Sequence, residues 1–425
     1  MRLNSNIKIQ NSKLQKLVPR LLDWFAANAR DLPWRRTRDP YAIWVSEIML
    51  QQTQVKTVIP FWERWMRELP SIEAAANAPS AKIHKLWEGL GYYTRVRNLQ
   101  KTAQQIVKSG KRKAESGNAV YQFPGNFDDV LALPGIGRYT AGAIVSIAFN
   151  QPAPILDGNV IRVLTRLFGI AENPKEKTTN ARLWQLAEEL VCGAHNSRWG
   201  ERPHELKQNG GRAQAPAREN VRPTNEKTCS HLNQSLMELG ALVCTPRNAQ
   251  CLICPVKKLC MAFKENRVDE LPNLGKRETA TARHFIAFAV ERDGKFLVQQ
   301  RPAGVVNAHL WEFPNLEVTG TKPEGEAVFH KLFDVKPKVI QPLRTVKHSI
   351  TRYRITLEAF YVSLGGTGST RPHAKTKSRI RGAGPSGRIS NTGRWIAPEE
   401  FDSLAFSSAH KKLASAAAKS ILSGR

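Results

Sequence analysis

The sequence predicts a mainly helical N-terminal region, residues 1–265, followed by a separate α+β domain, residues 283–425. Up to about Phe263 the apolar residues recur at three- and four-residue spacing, as they do on amphipathic helices. Residues 266–282 are charged and contain proline, which is typical of a linker. Beyond them, short runs rich in Phe, Val and Ile are typical of strands. With 425 residues, 41% of them apolar, the chain can form two or three domains with separate cores.

Within the N-terminal region, apolar periodicity predicts four helical segments, which are Val18–Ala27, Trp44–Met66, Ile83–Val107 and Ala141–Phe149. The second segment, if continuous, places Gln51 and Gln54 near the helical face that carries Glu47. Residues 195–228 break the pattern, because arginines and lysines are scattered there among Gly, Pro, Asn and Ala. We expect this stretch to be a disordered basic insertion.

The C-terminal domain carries a strong hairpin signal. The runs 285–290 and 296–299 flank Arg292-Asp293-Gly294, and Asp-Gly is a preferred pair in tight hairpin turns. Residues 338–341 and 353–362 are further predicted strands. Residues 365–393 contain six lysines and arginines but no acidic residue, so we expect a second flexible basic loop there.

The charge balance favours a polyanionic partner. Lysine and arginine number 64 against 36 acidic residues, a formal net charge of +28, and nucleic acid is the simplest partner for such a chain. A membrane surface is the alternative partner, but the sequence has no basic amphipathic helix separate from the helices predicted for the folded domains. No stretch of twenty apolar residues is present, and residues 1–15 lack a signal-peptide core. We therefore expect a cytoplasmic, monomeric protein.

Four of the six cysteines crowd into one short segment. Cys244, Cys251, Cys254 and Cys260 have the spacing C-x6-C-x2-C-x5-C. Four thiolates in one loop can enclose one 4Fe–4S cluster or a tetrahedral zinc ion. The spacing favours the cluster, because zinc ribbons usually present two C-x2-C pairs and this segment has one. Four protein ligands leave no open position for a substrate, so the predicted role is structural.

A glycine-rich turn and a carboxylate form the first candidate site. Residues 133–137 read Leu-Pro-Gly-Ile-Gly and precede a predicted helix, so Gly135 and Gly137 can bare backbone N–H groups at a helix N-terminus, which suits a phosphate. Asp157 follows some twenty residues later and would face whatever that phosphate is attached to. In the alternative interpretation, Asp157 caps the helix that begins after it.

Two further segments each have an ordinary and a functional interpretation. Glu47 lies among apolar residues, and it is either an exposed glutamate on an amphipathic helix or a desolvated carboxyl that holds a proton near neutral pH. The stretch 89–97 contains two glycines, two tyrosines and two arginines. It is either a helix connection with core tyrosines or a loop that approaches phosphate and presents an aromatic wedge to stacked bases.

Together these motifs resemble a known family. Leu133–Gly137 followed by Asp157 is similar to the helix-hairpin-helix, Gly/Pro-rich loop and aspartate of the DNA glycosylase superfamily. The cysteine spacing is similar to that of its endonuclease III and MutY branches, and residues 44–54 and 89–93 resemble the MutY branch. The resemblance implies a helical bundle with a helix-hairpin-helix and an iron–sulfur loop, followed by a Nudix-like α+β domain.

The resemblance also implies a reaction. Adenine opposite 8-oxoguanine or guanine in double-stranded DNA would be flipped into a pocket, where Glu47 protonates its N7. Asp157 would stabilise the resulting sugar cation, with Tyr139 and Asn159 in support. Other matching positions are Arg35 and Gln234 near the flipped adenine, Gln52 and Tyr92 in the base stack, and Gly135 and Gly137 at a phosphate.

Tyr139 separates the two branches. Bifunctional glycosylases of this superfamily carry a lysine nucleophile at this place, and without an amine no Schiff base forms. The resemblance therefore implies a monofunctional enzyme that leaves an abasic site. Two alternatives stay open, namely an endonuclease III-like glycosylase/lyase for oxidised pyrimidines and a non-catalytic DNA-binding protein.

The C-terminal domain resembles the lesion-recognition domain of the MutY branch. No acidic Nudix helix is recognisable after Glu312-Phe313-Pro314, so we expect no pyrophosphatase activity. The family reads 8-oxoguanine through a Phe-Ser-His loop, and this chain has Ile350-Thr351-Arg352 at the aligned place. Thr351 keeps a hydroxyl that can bond the lesion.

Overall fold

The computed structural model describes most of the chain. The described residues are 11–109, 112–113, 119–120, 123–196, 228–275, 279–319, 324–333, 335–350, 352–365 and 393–422. Nearly all of the predicted basic insertion 195–228 and basic loop 365–393 lies outside these ranges, and so does Thr351. The chain divides into two compact units. Unit 1 comprises Met1–Ala76 and Lys101–Arg277, and unit 2 comprises Asn77–Gln100 and Glu278–Arg425.

The N-terminal region is helical, as predicted. Its helices, in chain order from α1 to α12, are Asn11–Asn28, Pro40–Leu50, Val55–Glu68, Ile72–Asn77, Ser80–Leu86, Thr94–Ser109, Phe127–Leu131, Arg138–Phe149, Gly158–Phe168, Lys177–Asn196, Thr228–Leu242 and Met261–Lys264. A short strand pair, β1 at Arg112–Lys113 and β2 at Ala119–Val120, follows α6. The main core of unit 1 consists of leucine, valine and isoleucine side chains from α1, α9, α10 and α11.

Two of the predicted helical segments are interrupted. The continuous helix predicted over Trp44–Met66 is wrong, because α2 ends at Leu50 and α3 begins at Val55. The intervening sequence Gln-Gln-Thr-Gln offers no apolar side chain to bury, and Gln52 adopts a left-handed conformation with φ +57°. Gln54 therefore lies beyond the helix that carries Glu47, whereas Gln51 ends that helix and lines the same cavity as Glu47. The segment Ile83–Val107 is likewise broken between α5 and α6, at the turn that contains Gly89 and Gly91.

The strands of unit 2 form a mixed sheet. They are β3 Thr281–Arg292, β4 Lys295–Gln300, β5 Trp311–Glu312, β6 Asn315–Val318, β7 Val339–Ile350, β8 Tyr353–Ser363 and β9 Arg394–Ile396. The order is β5-β4-β3-β8-β7, with β6 paired to β3 and β9 paired to β4. Strands β3 and β8 are parallel, and the other pairs are antiparallel. The predicted hairpin is confirmed, with Asp293 and Gly294 both at positive φ.

Alternate residues of β3 face two different cores. Ala287 and Ala289 pack in a cluster with residues of α14, Ser408–Leu422, whereas Phe288 and Val290 pack with residues of α13, Gly325–Leu332. This two-residue alternation, with apolar side chains on both sides, is the pattern of a strand covered on both faces. In the described part of the chain, every helix is too short or too polar to cross a bilayer.

Candidate active site

A cavity of about 520 Å³ in unit 1 gathers most of the predicted site residues. The residues come from α2 and the segments on either side of it, from the starts of α8 and α9, and from α11. Seven of the predicted positions line it, namely Arg35, Glu47, Gln52, Tyr139, Asp157, Asn159 and Gln234. Positions separated by almost 200 residues in sequence therefore share one pocket. Its volume is within the range of small-molecule sites in proteins.

Glu47 is buried in the wall of this pocket. Residues 41–49 of α2 are all buried, and the Glu47 side chain has 5% exposure, so the exposed-glutamate alternative is wrong. Its Oε2 accepts a hydrogen bond of 2.7 Å from the Tyr139 hydroxyl. Burial raises the pKa of Glu47 to about 7, which the Tyr139 hydrogen bond and Arg35 only partly oppose. Glu47 can therefore hold a proton at neutral pH.

Asp157 caps a helix and lines the same pocket. It is the N-cap of α9, where its Oδ1 accepts a 2.7 Å hydrogen bond from the Val160 N–H. Its Oδ2 accepts from the Asn159 amide at 2.9 Å. The two interpretations of Asp157 therefore coexist, because the cap fixes a carboxylate that also faces the cavity. Burial raises its pKa, against the hydrogen bonds from Val160 and Asn159.

Asn159 is held in turn by Arg162 and by close packing against Gly240. Its Oδ1 accepts a 2.9 Å hydrogen bond from the Arg162 guanidinium, which also donates to the carbonyl of Gly240 at 2.7 Å. Gly240 on α11 lies so close that a Cβ added there would be 2.7 Å from the Cβ of Asn159. Glycine at 240 thus permits α11 to approach the Asp157–Asn159 segment and fixes one side of the pocket.

Tyr139 pairs with the other carboxyl. The resemblance places Tyr139 in support of Asp157, but its hydroxyl donates to Glu47 and lies 3.5 Å from the Met237 sulfur. Burial and the neighbouring Glu47 raise the pKa of the Tyr139 hydroxyl well above its usual value. Asp157 is supported by Asn159 and Val160 instead, so Tyr139 acts in the structure as a fixed, neutral donor to Glu47.

Arg30, Arg35, Gln234 and Glu238 form a second part of the pocket wall, which contains an arginine–carboxylate clamp. Glu238 of α11 is almost fully buried and receives two hydrogen bonds of 2.8 Å from the Arg30 guanidinium and one of 2.9 Å from Arg35. Arg35 also donates to the Gln234 side chain at 3.0 Å. Burial alone would raise the pKa of Glu238, but the hydrogen bonds from both arginines outweigh it and lower the pKa to about 2.

Arg30 and Glu238 were missed by the sequence reasoning. Glu238 lies in the run Leu236-Met237-Glu238-Leu239, a lone carboxyl among apolar helix residues, which is the same signal that drew attention to Glu47. Arg30 follows α1 in a segment without apolar periodicity, so its place in the pocket had no local signal. Together the two residues position Arg35 and Gln234 at the cavity.

Some predicted residues lie outside the pocket. Gly135 and Gly137 form the turn between α7 and α8, where Gly135 has φ +74° and Gly137 is the N-cap of α8. The Thr102 hydroxyl donates to the carbonyl of Pro134 at 2.7 Å and so anchors the turn. Tyr92 belongs to unit 2, has φ +47° and leaves 43% of its surface exposed.

The four clustered cysteines surround a second, small cavity. Cys244, Cys251, Cys254 and Cys260 all line a space of about 30 Å³. Arg166 donates to the Cys244 sulfur at 3.4 Å, and the Cys260 thiol donates to the Arg166 carbonyl at 3.3 Å. Within the described ranges, no three His, Cys, Asp or Glu side chains are arranged as ligands of a metal ion.

Two family profiles match the chain. Residues 45–189 match the HhH-GPD superfamily of base excision DNA repair proteins, a range that includes Glu47, Tyr139 and Asp157. Residues 286–416 match the NUDIX domain. The pocket in unit 1 and the mixed sheet of unit 2 thus define a base excision DNA repair protein with an appended NUDIX domain.

Whole-chain relatives narrow this class. The adenine DNA glycosylase of Rattus norvegicus is 32% identical over 92% of this chain and 76% of its own. That of Buchnera aphidicola subsp. Schizaphis graminum is 32% identical over 80% and 82% respectively. A solved thermostable thymine-DNA glycosylase, 28% identical, aligns with 60% of this chain and 98% of its own at a TM-score of 0.45. The chain belongs to the adenine DNA glycosylase family. It is a hydrolase of DNA repair, a DNA N-glycosylase that excises adenine.

Proposed function

We propose that this enzyme removes adenine mispaired with 8-oxoguanine or guanine in double-stranded DNA and leaves an abasic site in an intact strand. The observation that carries the proposal is the pairing of Glu47 and Asp157 in one cavity. One carboxyl holds a proton near pH 7, and the other is fixed by hydrogen bonds at a helix N-terminus. Hydrolysis of a glycosidic bond uses such a pair, one group as acid and one to meet the sugar cation.

In the proposed mechanism, adenine enters the cavity after flipping out of the duplex. Glu47 donates its proton to adenine N7, and the bond from the sugar C1′ to N9 breaks with its electron pair leaving on the base. The sugar becomes an oxocarbenium ion, which the Asp157 carboxylate stabilises by charge. Water then adds to C1′ and loses a proton, which returns to the ionised Glu47.

The part of the wall formed by Arg30, Arg35, Gln234 and Glu238 would orient the base. Arg35 and Gln234 present hydrogen-bonding groups to the cavity, and the clamp of Arg30 and Glu238 restricts their movement. A base held by several fixed donors and acceptors keeps N7 within reach of Glu47. Rigid positioning of this kind lowers the entropic part of the activation barrier.

We expect no strand cleavage by β-elimination. The position that carries the lysine nucleophile in bifunctional relatives holds Tyr139, and among the described lining residues of the cavity there is no lysine. A Schiff base with the sugar needs an uncharged amine. The enzyme would therefore stop at the abasic site.

DNA contacts outside the cavity follow the predicted residues. The Gly135–Gly137 turn would bind a phosphate through backbone N–H groups at the start of α8. Gln52 at the mouth of the cavity and the exposed Tyr92 would fill or wedge the base stack. Thr351, between β7 and β8, would bond the 8-oxoguanine, so the domain 283–425 would supply the preference for that lesion.

The cysteine cavity would hold one 4Fe–4S cluster. The donor set fits, because four thiols line one cavity and the Arg166 guanidinium provides positive charge beside them. The cluster would link the segment 244–260 to α9 as a structural element. Metal analysis of the purified protein should give four irons per chain. Its absorption spectrum should show a broad band at about 400 nm. One zinc per chain without colour would establish the zinc alternative.

A single-turnover assay tests the proposed activity. Duplexes with adenine opposite 8-oxoguanine, guanine or thymine are incubated with excess enzyme. We expect adenine release opposite 8-oxoguanine and guanine, and strand cleavage only after alkali. Cleavage without alkali, or release of oxidised pyrimidines instead of adenine, would establish the glycosylase/lyase alternative.

A further inference from the structure

Residues 77–100 lie between two parts of unit 1 in sequence, yet they belong to unit 2. Hydrogen bonds join this segment to residues more than 200 positions away. Arg97 donates to the Ala308 carbonyl at 3.0 Å, and Lys85 donates to the Leu404 carbonyl at 3.1 Å. The rings of His84 and His309 are stacked with centroids 6.3 Å apart. The segment is therefore an integral part of the C-terminal structure.

Glu88 makes the strongest of these connections. Its side chain is 9% exposed, and its Oε2 accepts from Lys85 at 2.8 Å and from Lys411 at 2.7 Å. Its Oε1 accepts from the backbone N–H of Phe406 at 3.0 Å. One carboxylate thus bridges the end of α5 to both the residues before α14 and α14 itself. Charge-assisted hydrogen bonds to a mostly buried carboxylate are among the stronger side-chain interactions.

Glu88 directly precedes the turn that carries Tyr92. The turn is held internally, because the buried Trp87 indole donates to the Gly91 carbonyl at 3.0 Å and Arg95 donates to the Leu90 carbonyl at 3.0 Å. The Arg95 guanidinium also lies over the Tyr92 ring, 5.7 Å from its centroid. The base of this turn is therefore fixed to the C-terminal structure at Glu88, while Tyr92 remains exposed.

We propose that Glu88 is a positioning residue that fastens the Gly89–Tyr93 turn to the C-terminal domain, so that reading of the opposite base governs how Tyr92 engages the DNA. The inference rests on the proposed function, in which the C-terminal domain contacts 8-oxoguanine and Tyr92 enters the base stack. The bridge converts the two into one rigid body, so a contact made by one constrains the other. Coupling between two sites requires a physical connection of this kind or a shared equilibrium.

The test compares Glu88→Ala with a matched glutamate. Glu400 also accepts from a backbone N–H, that of Ala397, and from a cation, Arg394, but all of its partners lie within a few residues in sequence. Single-turnover rates of adenine release are measured opposite 8-oxoguanine and opposite guanine. We expect Glu88→Ala to lower the ratio of the two rates about fivefold, the lower end of usual coupling strengths, and Glu400→Ala to leave it unchanged.

Lys411→Met and the double variant complete the design. If the bridge carries the coupling, Glu88→Gln and Lys411→Met each lower the rate ratio, and the double variant lowers it no further. Should Glu88→Ala fail to fold, these milder variants still decide the question. An unchanged ratio in all of them, or additive losses in the double variant, would overturn the proposal.

Hydrogen exchange without DNA separates this inference from the proposed function. Glu88→Gln should increase exchange in peptides covering residues 89–93 and 404–409, whereas Glu400→Gln should not. Unchanged exchange in both peptides shows that Glu88 does not fasten the turn. If the wild-type enzyme itself releases adenine equally fast opposite 8-oxoguanine and guanine, the proposed lesion reading fails, and the coupling fails with it even if exchange increases.

Discussion

The active-site cavity contains two buried glutamates, Glu47 and Glu238, and their pKa values are shifted in opposite directions. Glu47 has a pKa raised to about 7, whereas Glu238 has a pKa lowered to about 2. Both side chains are buried, so burial does not explain the difference. The partners do: Glu238 is hydrogen-bonded to two guanidinium groups, and Glu47 is hydrogen-bonded to a neutral phenol.

Within one cavity, one glutamate is therefore suited to proton transfer and the other to holding neighbouring side chains in place. A buried carboxyl without a cation keeps its proton near neutral pH and can donate it. A buried carboxylate between two arginines stays ionised and fixes them in place. Arg35 interacts with both glutamates, because it is hydrogen-bonded to Glu238 and its charge weakly opposes the raised pKa of Glu47.

The largest effect is expected for Glu47→Gln. Glutamine keeps the size of the side chain and a hydrogen-bond acceptor for Tyr139 but has no proton to donate to adenine. We expect the single-turnover rate of adenine release to fall about 10³-fold, within the usual contribution of general acid catalysis. Binding of the same duplex, measured by fluorescence anisotropy, should change little. A rate within tenfold of wild type would remove Glu47 from the role of acid.

Asp157→Asn is expected to have the second-largest effect. Asparagine is as good an N-cap as aspartate, so α9 should keep its start and the melting temperature should stay near that of wild type. The negative charge that faces the sugar cation is lost, and we expect adenine release to slow about 10²-fold, as for the loss of one electrostatic contact. Because asparagine retains the cap, a rate of adenine release near that of wild type would indicate that Asp157 acts as a cap alone.

Glu238→Gln tests whether the clamp of Glu238 with Arg30 and Arg35 stabilises the pocket. Removing the charge leaves Arg30 and Arg35 without their shared partner, and we expect a loss of about 3 kcal/mol in the free energy of unfolding, typical of a broken buried pair. The exposed pair of Asp31 and Arg36 provides the control, and Asp31→Asn should leave the denaturation midpoint unchanged. Equal denaturation midpoints for the two variants would show that the clamp does not stabilise the pocket.

The sequence indicated the candidate catalytic residues of the pocket better than it indicated the clamp of Arg30 and Glu238. Glu47, Tyr139 and Asp157 lie in long motifs with a recognisable order, so the sequence alone could select each as a candidate, and the three line one cavity. Arg30 has no local pattern, because its contact with Glu238 spans 208 residues. Glu238 itself carries the same signal as Glu47, a lone carboxyl among apolar helix residues, but its arginine partners could not be predicted from that signal. The direct partner of Tyr139 could not be predicted either, because which of two nearby carboxyls receives the hydroxyl is decided by tertiary packing.

The fold shows the same limit. The helical region and the β3–β4 hairpin followed from periodicity and from the Asp-Gly turn. The break after Leu50 did not, because one turn of polar glutamines is compatible with a helix until its neighbours are known. The attachment of residues 77–100 to unit 2 rests on partners such as Phe406 and Lys411, and contacts of that separation leave no trace in local sequence.

The last prediction concerns the dependence of stability on pH. A pKa raised from 4.5 to about 7 means that the folded protein retains a proton at Glu47 that the unfolded chain releases between pH 4.5 and 7. Wild-type stability therefore falls as pH rises through this window, and Glu47→Gln, which has no such proton, escapes the loss. We expect the variant to be more stable than wild type by about 3 kcal/mol at pH 8 and equal to it at pH 4. Urea denaturation at both pH values measures this difference. A variant that is less stable at pH 8 would mean that the ionised Glu47 has a favourable partner, and the contrast with Glu238 would then disappear.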